Sequence, residues 1–205
     1  SGGAFVLGLR HGRTEMRIGA PDDAGLRLIE QFHEFSEHSR AGVLRRAPGV
    51  DWGDPPPPFK SYPGRAVVPL PRPGAAAPGT LDLGVLASLL WHSAGANLQR
   101  GPIHFRPAPS SGALFATELY VGVRSLPGLA RGIWHYDPLH HALHRLGEQH
   151  APAAAALGTE ITASAYVVAS AIFRRSGHKY RDRTYRYVLA DLGHALENLR
   201  ANKLR

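Results

Sequence analysis

The sequence contains no cysteine, which excludes disulfides and thiolate chemistry and fits a cytoplasmic setting. It holds no apolar run of about 18 residues or more, so no transmembrane helix and no membrane role are expected. Its first residues lack a positive region followed by an apolar stretch and a cleavage site, so no signal peptide is expected. No internal repeat is evident, and neither a helix-turn-helix, a zinc finger nor an RNA-binding aromatic pattern is present. Acidic residues are in the minority: 24 Lys and Arg stand against 16 Asp and Glu, for a net charge of +8. The excess gathers toward the C-terminus, in Arg174, Arg175, His178, Lys179, Arg181, Arg183 and Arg186. Without a nucleic-acid motif beside it, that cluster suits a phosphate group or an acidic peptide rather than nucleic acid.

What is present is enough for a folded core. The chain has 205 residues, 43% of them hydrophobic, which suits one domain or a domain with a small appendage. Residues 4–9 are a short apolar run and read as a strand. Asp22 and Asp23 after Pro21 mark a helix start, and Leu26, Ile29, Phe32 and Phe35 then give that helix one apolar face. Pro55, Pro56, Pro57 and Pro58 form a stiff extended connector. Residues 69–78 read as a loop. Thr80 is placed to cap a helix that carries Leu81, Val85, Leu86, Leu89 and Leu90 and stops near Gly95. A strand over 119–123 follows, then a hairpin with arms 132–136 and 141–146 and a turn begun by Asp137 and Pro138. Residues 151–157 read as a short helix, 165–173 as a buried strand and 183–199 as a helix. Trp91 and Trp134 are expected in the core.

The most informative stretch is Arg106 followed by Pro109, Ser110, Ser111, Gly112 and Ala113. It reads as a tight loop of small residues, a helix start and then the buried strand. Pro109 fixes one backbone angle, the serines supply hydroxyls, and Gly112 leaves room for a flat ligand against the backbone. Free N–H groups at the helix start favour an electron-rich or anionic partner. Read without context, the same residues make an ordinary turn. His135, His140, His141 and His144 fall close together, but a metal site needs three or four converging ligands. On the hairpin His135 and His141 would face each other, while His140 and His141 would point to opposite faces. Exposed strand histidines are therefore preferred to a metal site.

Three blocks in order carry a family resemblance. The loop Pro109-Ser110-Ser111-Gly112-Ala113-Leu114 runs into Glu118-Leu119-Tyr120-Val121, and Gly132-Ile133-Trp134-His135-Tyr136-Asp137-Pro138 follows. Lys179-Tyr180, Arg183, Tyr185-Arg186-Tyr187, Asp191-Leu192-Gly193-His194 and Glu197-Asn198-Leu199 form the second block. Phe32-His33-Glu34-Phe35-Ser36, Asp51-Trp52-Gly53-Asp54 and Phe59-Lys60-Ser61-Tyr62-Pro63-Gly64 form the upstream one. Together these resemble the SagB-type dehydrogenase branch of the nitroreductase superfamily, over residues 32–199.

The resemblance implies an α+β fold, a nitroreductase-like mixed sheet flanked by helices with an N-terminal extension. Residues 1–64 would be the extension and residues 65–205 the FMN-binding domain. It implies FMN bound at a dimer interface, a modified peptide as substrate, and oxidation of thiazoline or oxazoline rings to thiazoles or oxazoles. That reaction removes a proton from one ring carbon and a hydride from its neighbour, so it needs a cofactor and a base. The family's adjacent lysine and tyrosine match Lys179 and Tyr180, which become the base and its proton-sharing partner. A lysine in water titrates near pH 10.4, so nearby arginines and partial burial are expected to favour the neutral amine. The bland alternative is a solvated basic loop before a helix. Arg106, Pro109, Ser110, Ser111, Gly112, Ala113 and Arg183 become the FMN-binding residues, and His194 is expected to pack against the flavin pocket or a neighbouring subunit.

Two departures accompany the resemblance. Family members carry an arginine cluster that grips the FMN phosphate before the helix matching residues 81–94, whereas residues 72–80 hold Arg72 alone. Family chains also continue past the Gly193-His194 helix into elements that complete the pocket, whereas this sequence ends at Arg205. Arg65, Arg72 or a partner's arginines are the candidate replacements. Three readings therefore stand: an azoline dehydrogenase acting as a homodimer or in a heteromer with other biosynthetic enzymes, a flavin-free scaffold subunit, or a generic nitroreductase-like flavin oxidoreductase.

Overall fold

The computed structural model describes residues 5–8, 22–37, 39–40, 50–51, 53, 56–73, 81–148 and 161–202. The helix expected over 151–157, Thr80 and most of the 72–80 stretch lie outside those residues.

The elements in order are β1 (Phe5–Gly8), α1 (Asp23–Ser36), β2 (Val67–Pro69), α2 (Leu83–Ala94), β3 (Leu98–Arg100), β4 (Ile103–Phe105), β5 (Thr117–Val123), β6 (Gly132–Asp137), β7 (Ala142–Gly147), β8 (Ala165–Ala171), α3 (Phe173–Tyr180) and α4 (Thr184–Asn202). Six strands make one sheet in the order β1-β8-β5-β6-β7-β2, and β3 and β4 form a separate hairpin. The class is α+β as expected. Every strand pairing among the described residues is antiparallel, however, where a mixed sheet was expected.

Strand alternation sorts the sheet into two faces. Leu119, Val121 and Val123 of β5 join Trp134 and Tyr136 of β6, Leu143 of β7 and Val167 of β8 in one buried cluster with Leu86 and Leu90 of α2 and Leu192 and Leu199 of α4. Helices α2 and α4 pack on each other, and the buried Ser93 hydroxyl ties them by donating to the Ala195 carbonyl at 2.7 Å. Glu118 and Tyr120 take the other face of β5, which the segment around Pro57 to Tyr62 overlies. Both faces of the central strand are therefore covered. Gly122 has a packing reason: the ring of Tyr166, its register partner on β8, occupies the space a Cβ would need.

Several boundaries differ from expectation. Asp82 caps α2, its carboxylate accepting the Val85 N–H at 2.9 Å, so the helix starts later than a Thr80 cap would allow. Strand β8 ends at Ala171, and Phe173 opens α3 instead of closing the strand. The Ile172 N–H still donates to the Ala116 carbonyl at 2.8 Å, in register with the β5–β8 pairing, and the chain turns into α3 directly after it. The helix start after the serines is one 3-10 turn, Ser111–Ala113. Helix α1 begins where expected, with Asp22 accepting the Gly25 N–H at 2.7 Å. Its apolar face is not taken into the core, because Leu26, Ile29 and Phe35 are 46%, 56% and 50% exposed. It is held instead by Arg186, which donates to the His33 carbonyl at 3.0 Å and the Ser36 hydroxyl at 2.9 Å, and by Phe32 against Tyr185. Trp134 is buried, with its indole N–H donating to the Ala130 carbonyl, whereas Trp91 is half-buried between Arg72 and His141.

Candidate functional site

The site begins with a strained loop. Gly112, Ala113 and Phe115 have φ of +66°, +54° and +46°, the left-handed region that costs a side-chain-bearing residue energy. Hydrogen bonds hold it there. The Ala113 N–H donates to the Ser110 carbonyl at 3.0 Å. The Ser110 hydroxyl accepts the Phe115 N–H at 2.9 Å and donates to Asp191 Oδ2 at 2.8 Å. The Ser111 N–H and hydroxyl also donate to the Asp191 carboxylate. Asp191 stands seven residues into α4, about two turns along, and is buried. The anionic partner that the loop's N–H groups invite is thus supplied by the chain's own helix.

Helix α3 brings the second element. Its last two residues are Lys179 and Tyr180, and it stops at Arg181, whose φ is +49°. The pair therefore ends a helix and does not lie in a loop. A Cβ built on Gly112 would lie 2.6 Å from the Tyr180 hydroxyl and 2.9 Å from Lys179 Nζ. Three separated blocks, 110–113, 179–180 and 191, meet at this point. The Tyr180 ring packs on Tyr187 at 4.7 Å, and Arg183 Nε–H donates to the Tyr187 hydroxyl at 3.1 Å. Lys179 is exposed, so the partial burial expected to favour its neutral form is absent.

Arg106 lies beneath the loop. It donates to the carbonyls of Thr117 at 3.2 Å and Pro58 at 3.3 Å, and its guanidinium sits over the Phe115 ring at 4.9 Å. Burial pulls its pKa down to about 10, against the opposing pull of Glu118. A cavity of about 20 Å³, room for one water molecule, is lined by Arg106, Ser110, Thr117 and Asp191 among others. Arg106 Nε and Thr117 Oγ1 are buried there without a partner among the described residues.

The sequence reading missed the charged centre under this site. Glu118, on β5, is buried together with Arg175 of α3 and His135 of β6. Arg175 Nη1 donates to Glu118 Oε1 and to the Phe115 carbonyl, and its Nε–H to the Pro57 carbonyl at 2.8 Å. His135 Nε2 lies 2.7 Å from Glu118 Oε2. Burial works to raise the Glu118 pKa, but His135 and Arg175 outweigh it and hold the carboxyl below its ordinary value. The signal was a carboxylate inside an otherwise apolar strand, since a buried charge must be paired.

The histidine reading also changes. His135 pairs with His144, not His141, because Asp137 pairs with Ala142 and the turn takes up His141. His135 and His141 are buried rather than exposed. His140 and His144 approach Asp137 Oδ2 at 2.7 and 3.4 Å. Among the described residues no three His, Asp or Glu side chains group as a metal site, and no helix is long and apolar enough to cross a membrane.

The chain is 34% identical over 124 residues to a candidate nitroreductase of Methanocaldococcus jannaschii, a match covering 58% of this chain and 61% of that protein. No protein-family model matches the chain. Its structure is similar to that of a candidate nitroreductase from Anabaena variabilis, with TM-score 0.68, 26% identity, and coverage of 84% of this chain and 37% of that one. A second candidate nitroreductase, from Ralstonia eutropha, has TM-score 0.50 and 23% identity over 66% of this chain and 70% of that one, a likeness of fold alone. The chain spans 61% of the length of the curated relative and 37% of the Anabaena chain. By its fold and by the names of these relatives, the chain is similar to nitroreductases.

Proposed function

We propose that this chain is an FMN-dependent dehydrogenase that oxidises thiazoline or oxazoline rings to thiazoles or oxazoles in a ribosomally made peptide. The reading rests on the resemblance of its motifs and is carried by one observation: Lys179 and Tyr180 meet the backbone of Gly112. In this proposal the enzyme works in the cytoplasm, as a homodimer or beside other biosynthetic enzymes, with residues 1–64 as an extension to the FMN-binding domain.

The residues divide the work. The lack of a Cβ at Gly112 makes room for the Tyr180 hydroxyl and Lys179 Nζ, and a flat ring would lie beside that pair and Ala113. Ser110 and Ser111 spend their donors on Asp191, so they and Pro109 shape the loop. Arg106 spends its terminal nitrogens on carbonyls and braces the loop from below, while Arg183 is the cation offered to the phosphate. Bound FMN supplies the hydride acceptor that no side chain provides. Lys179 takes the ring proton, and the Tyr180 hydroxyl orients or shares it.

The test is mass spectrometry of a thiazoline-bearing peptide incubated with the FMN-loaded protein. Loss of two hydrogens per ring is expected, and it should disappear with Lys179→Ala. Full retention of activity in that variant would overturn the role of Lys179.

A second reading is favoured by the same loop. Asp191 already fills the donors of Ser110 and Ser111, and Arg72 is alone in its stretch, as suits a flavin-free scaffold subunit of a peptide-modifying complex. That reading requires a protein that takes up no FMN and binds a partner enzyme. A generic nitroreductase would instead reduce nitroaromatics with FMN and leave azolines untouched.

A further inference from the structure

Lys60, Tyr62 and Tyr120 converge on the sheet face turned away from α2 and α4. Tyr120 alternates along β5 with Leu119 and Val121, which face the core, and Lys60 and Tyr62 come from the segment laid over that face. Lys60 Nζ–H donates to the Tyr120 hydroxyl at 2.8 Å, and the Tyr62 and Tyr120 hydroxyls are 3.2 Å apart. The ammonium also sits 5.1 Å from the Tyr62 ring centroid and 5.5 Å from that of Tyr120. His135 packs its ring against both tyrosines, so the two phenols are held from behind.

Counting protons shows what the cluster lacks. An ammonium has three N–H donors and each phenol one O–H. Contacts inside the cluster, Lys60 with both phenols and the phenols with each other, take three of these five, and two remain. Among the described residues the ion pairs lie elsewhere, and the neighbouring carboxylate, Glu118, is committed to Arg175 and His135. All three side chains are half-buried, neither locked in the interior nor free in solvent. Burial holds the Tyr62 phenol above its ordinary range, so it stays a donor. A positive charge with spare donors and no negative partner complements an oxyanion.

We infer that Lys60, Tyr62 and Tyr120 form a binding site for an oxyanion, the carboxylate or phosphate group of a small molecule. The site shares no residue with the Gly112, Lys179 and Tyr180 cluster, and it stands whether or not FMN binds there.

The experiment is a chemical-shift titration of the isotope-labelled full chain with sodium phosphate and, separately, sodium acetate, at ionic strength fixed with sodium chloride. Saturable shifts are expected at the amides of residues 60–62 and 120. Saturation by phosphate alone assigns a phosphate ligand, by acetate alone a carboxylate, and by both the shared oxyanion chemistry. Lys60→Met should weaken binding about tenfold or more, as loss of a charge-assisted contact predicts. Tyr120→Phe should weaken it less, and should its fold fail, Lys60→Met, at a half-exposed position, decides alone. No saturable shift with either anion, or wild-type binding by folded Lys60→Met, overturns the site.

Discussion

Asp191 accepts the backbone N–H of Ser111 through both carboxylate oxygens, at 3.1 and 3.0 Å. The same carboxylate takes both serine hydroxyls. A loop with positive φ at Gly112, Ala113 and Phe115 is thereby fixed to α4, and Gly112 is presented to the end of α3. The first prediction follows from that clamp. Asp191→Ala strands three donors and should lower unfolding stability by about 2 kcal/mol or more. Asp191→Asn, whose amide oxygen still accepts the Ser111 N–H, should lose less. Urea unfolding of the two variants checks the order.

Arg175 and Glu118 form the buried pair that joins α3, β5 and the segment at Pro57. Removing one partner leaves the other charge uncompensated in the interior, at a cost of about 3–5 kcal/mol. Arg175→Met should therefore be among the most damaging single changes and should loosen the helix that carries Lys179 and Tyr180. Arg200 and Glu197 make an equally close pair on the surface, yet water and salt screen it. Arg200→Met should be indistinguishable from wild type in the same unfolding measurement.

Stability should fall in acid in two steps. Burial depresses the His141 pKa, with the Pro71 carbonyl opposing and Arg72 assisting. Its Nδ1 lies 2.9 Å from the Tyr136 hydroxyl and its Nε2 3.0 Å from the Pro71 carbonyl oxygen. A neutral ring satisfies both contacts, accepting from the phenol and donating to the carbonyl. An unfolded histidine takes a proton near pH 6.5, and the folded one declines it. The unfolded state then binds more protons, so stability is lost as pH falls below about 6.5. Glu118 and Asp137 are held below their ordinary values. Their contribution is present above the unfolded carboxyl pKa, near 4, and is lost as pH falls further. Urea midpoints from pH 8 to pH 3 measure both steps. His141→Asn, a residue that tolerates the φ of +51° found there, should lower the plateau and flatten the first step while leaving the second.

The sequence made legible what local chemistry decides. Asp22 capped its helix, the apolar run at 165–171 formed a buried strand, and the hairpin arms fell where Asp137 and Pro138 place the turn. It was silent where distant residues decide. Nothing local to Phe173 says that the strand ends at Ala171 and that Phe173 opens a helix. Nothing local to Glu118 names Arg175 and His135, and a three-residue difference in register put His144 in place of His141 opposite His135. The apolar stripe of α1 was legible, whereas its exposure was not, because periodicity identifies a face without naming what covers it. At the candidate site, the motifs singled out Ser110, Ser111, Gly112, Lys179 and Tyr180, but not that Asp191 would take the serine donors.

The most direct test of the account is the visible absorption spectrum of the full chain after incubation with FMN and removal of free flavin, for wild type and Gly112→Val. The valine would put a side chain into the space beside the Tyr180 hydroxyl and Lys179 Nζ and would force a left-handed backbone on a β-branched residue. A stoichiometric oxidised-flavin spectrum is expected in the wild type, and its loss in a folded Gly112→Val protein. A wild-type protein that stays colourless after saturating FMN, or a valine variant that binds flavin as the wild type does, would contradict it.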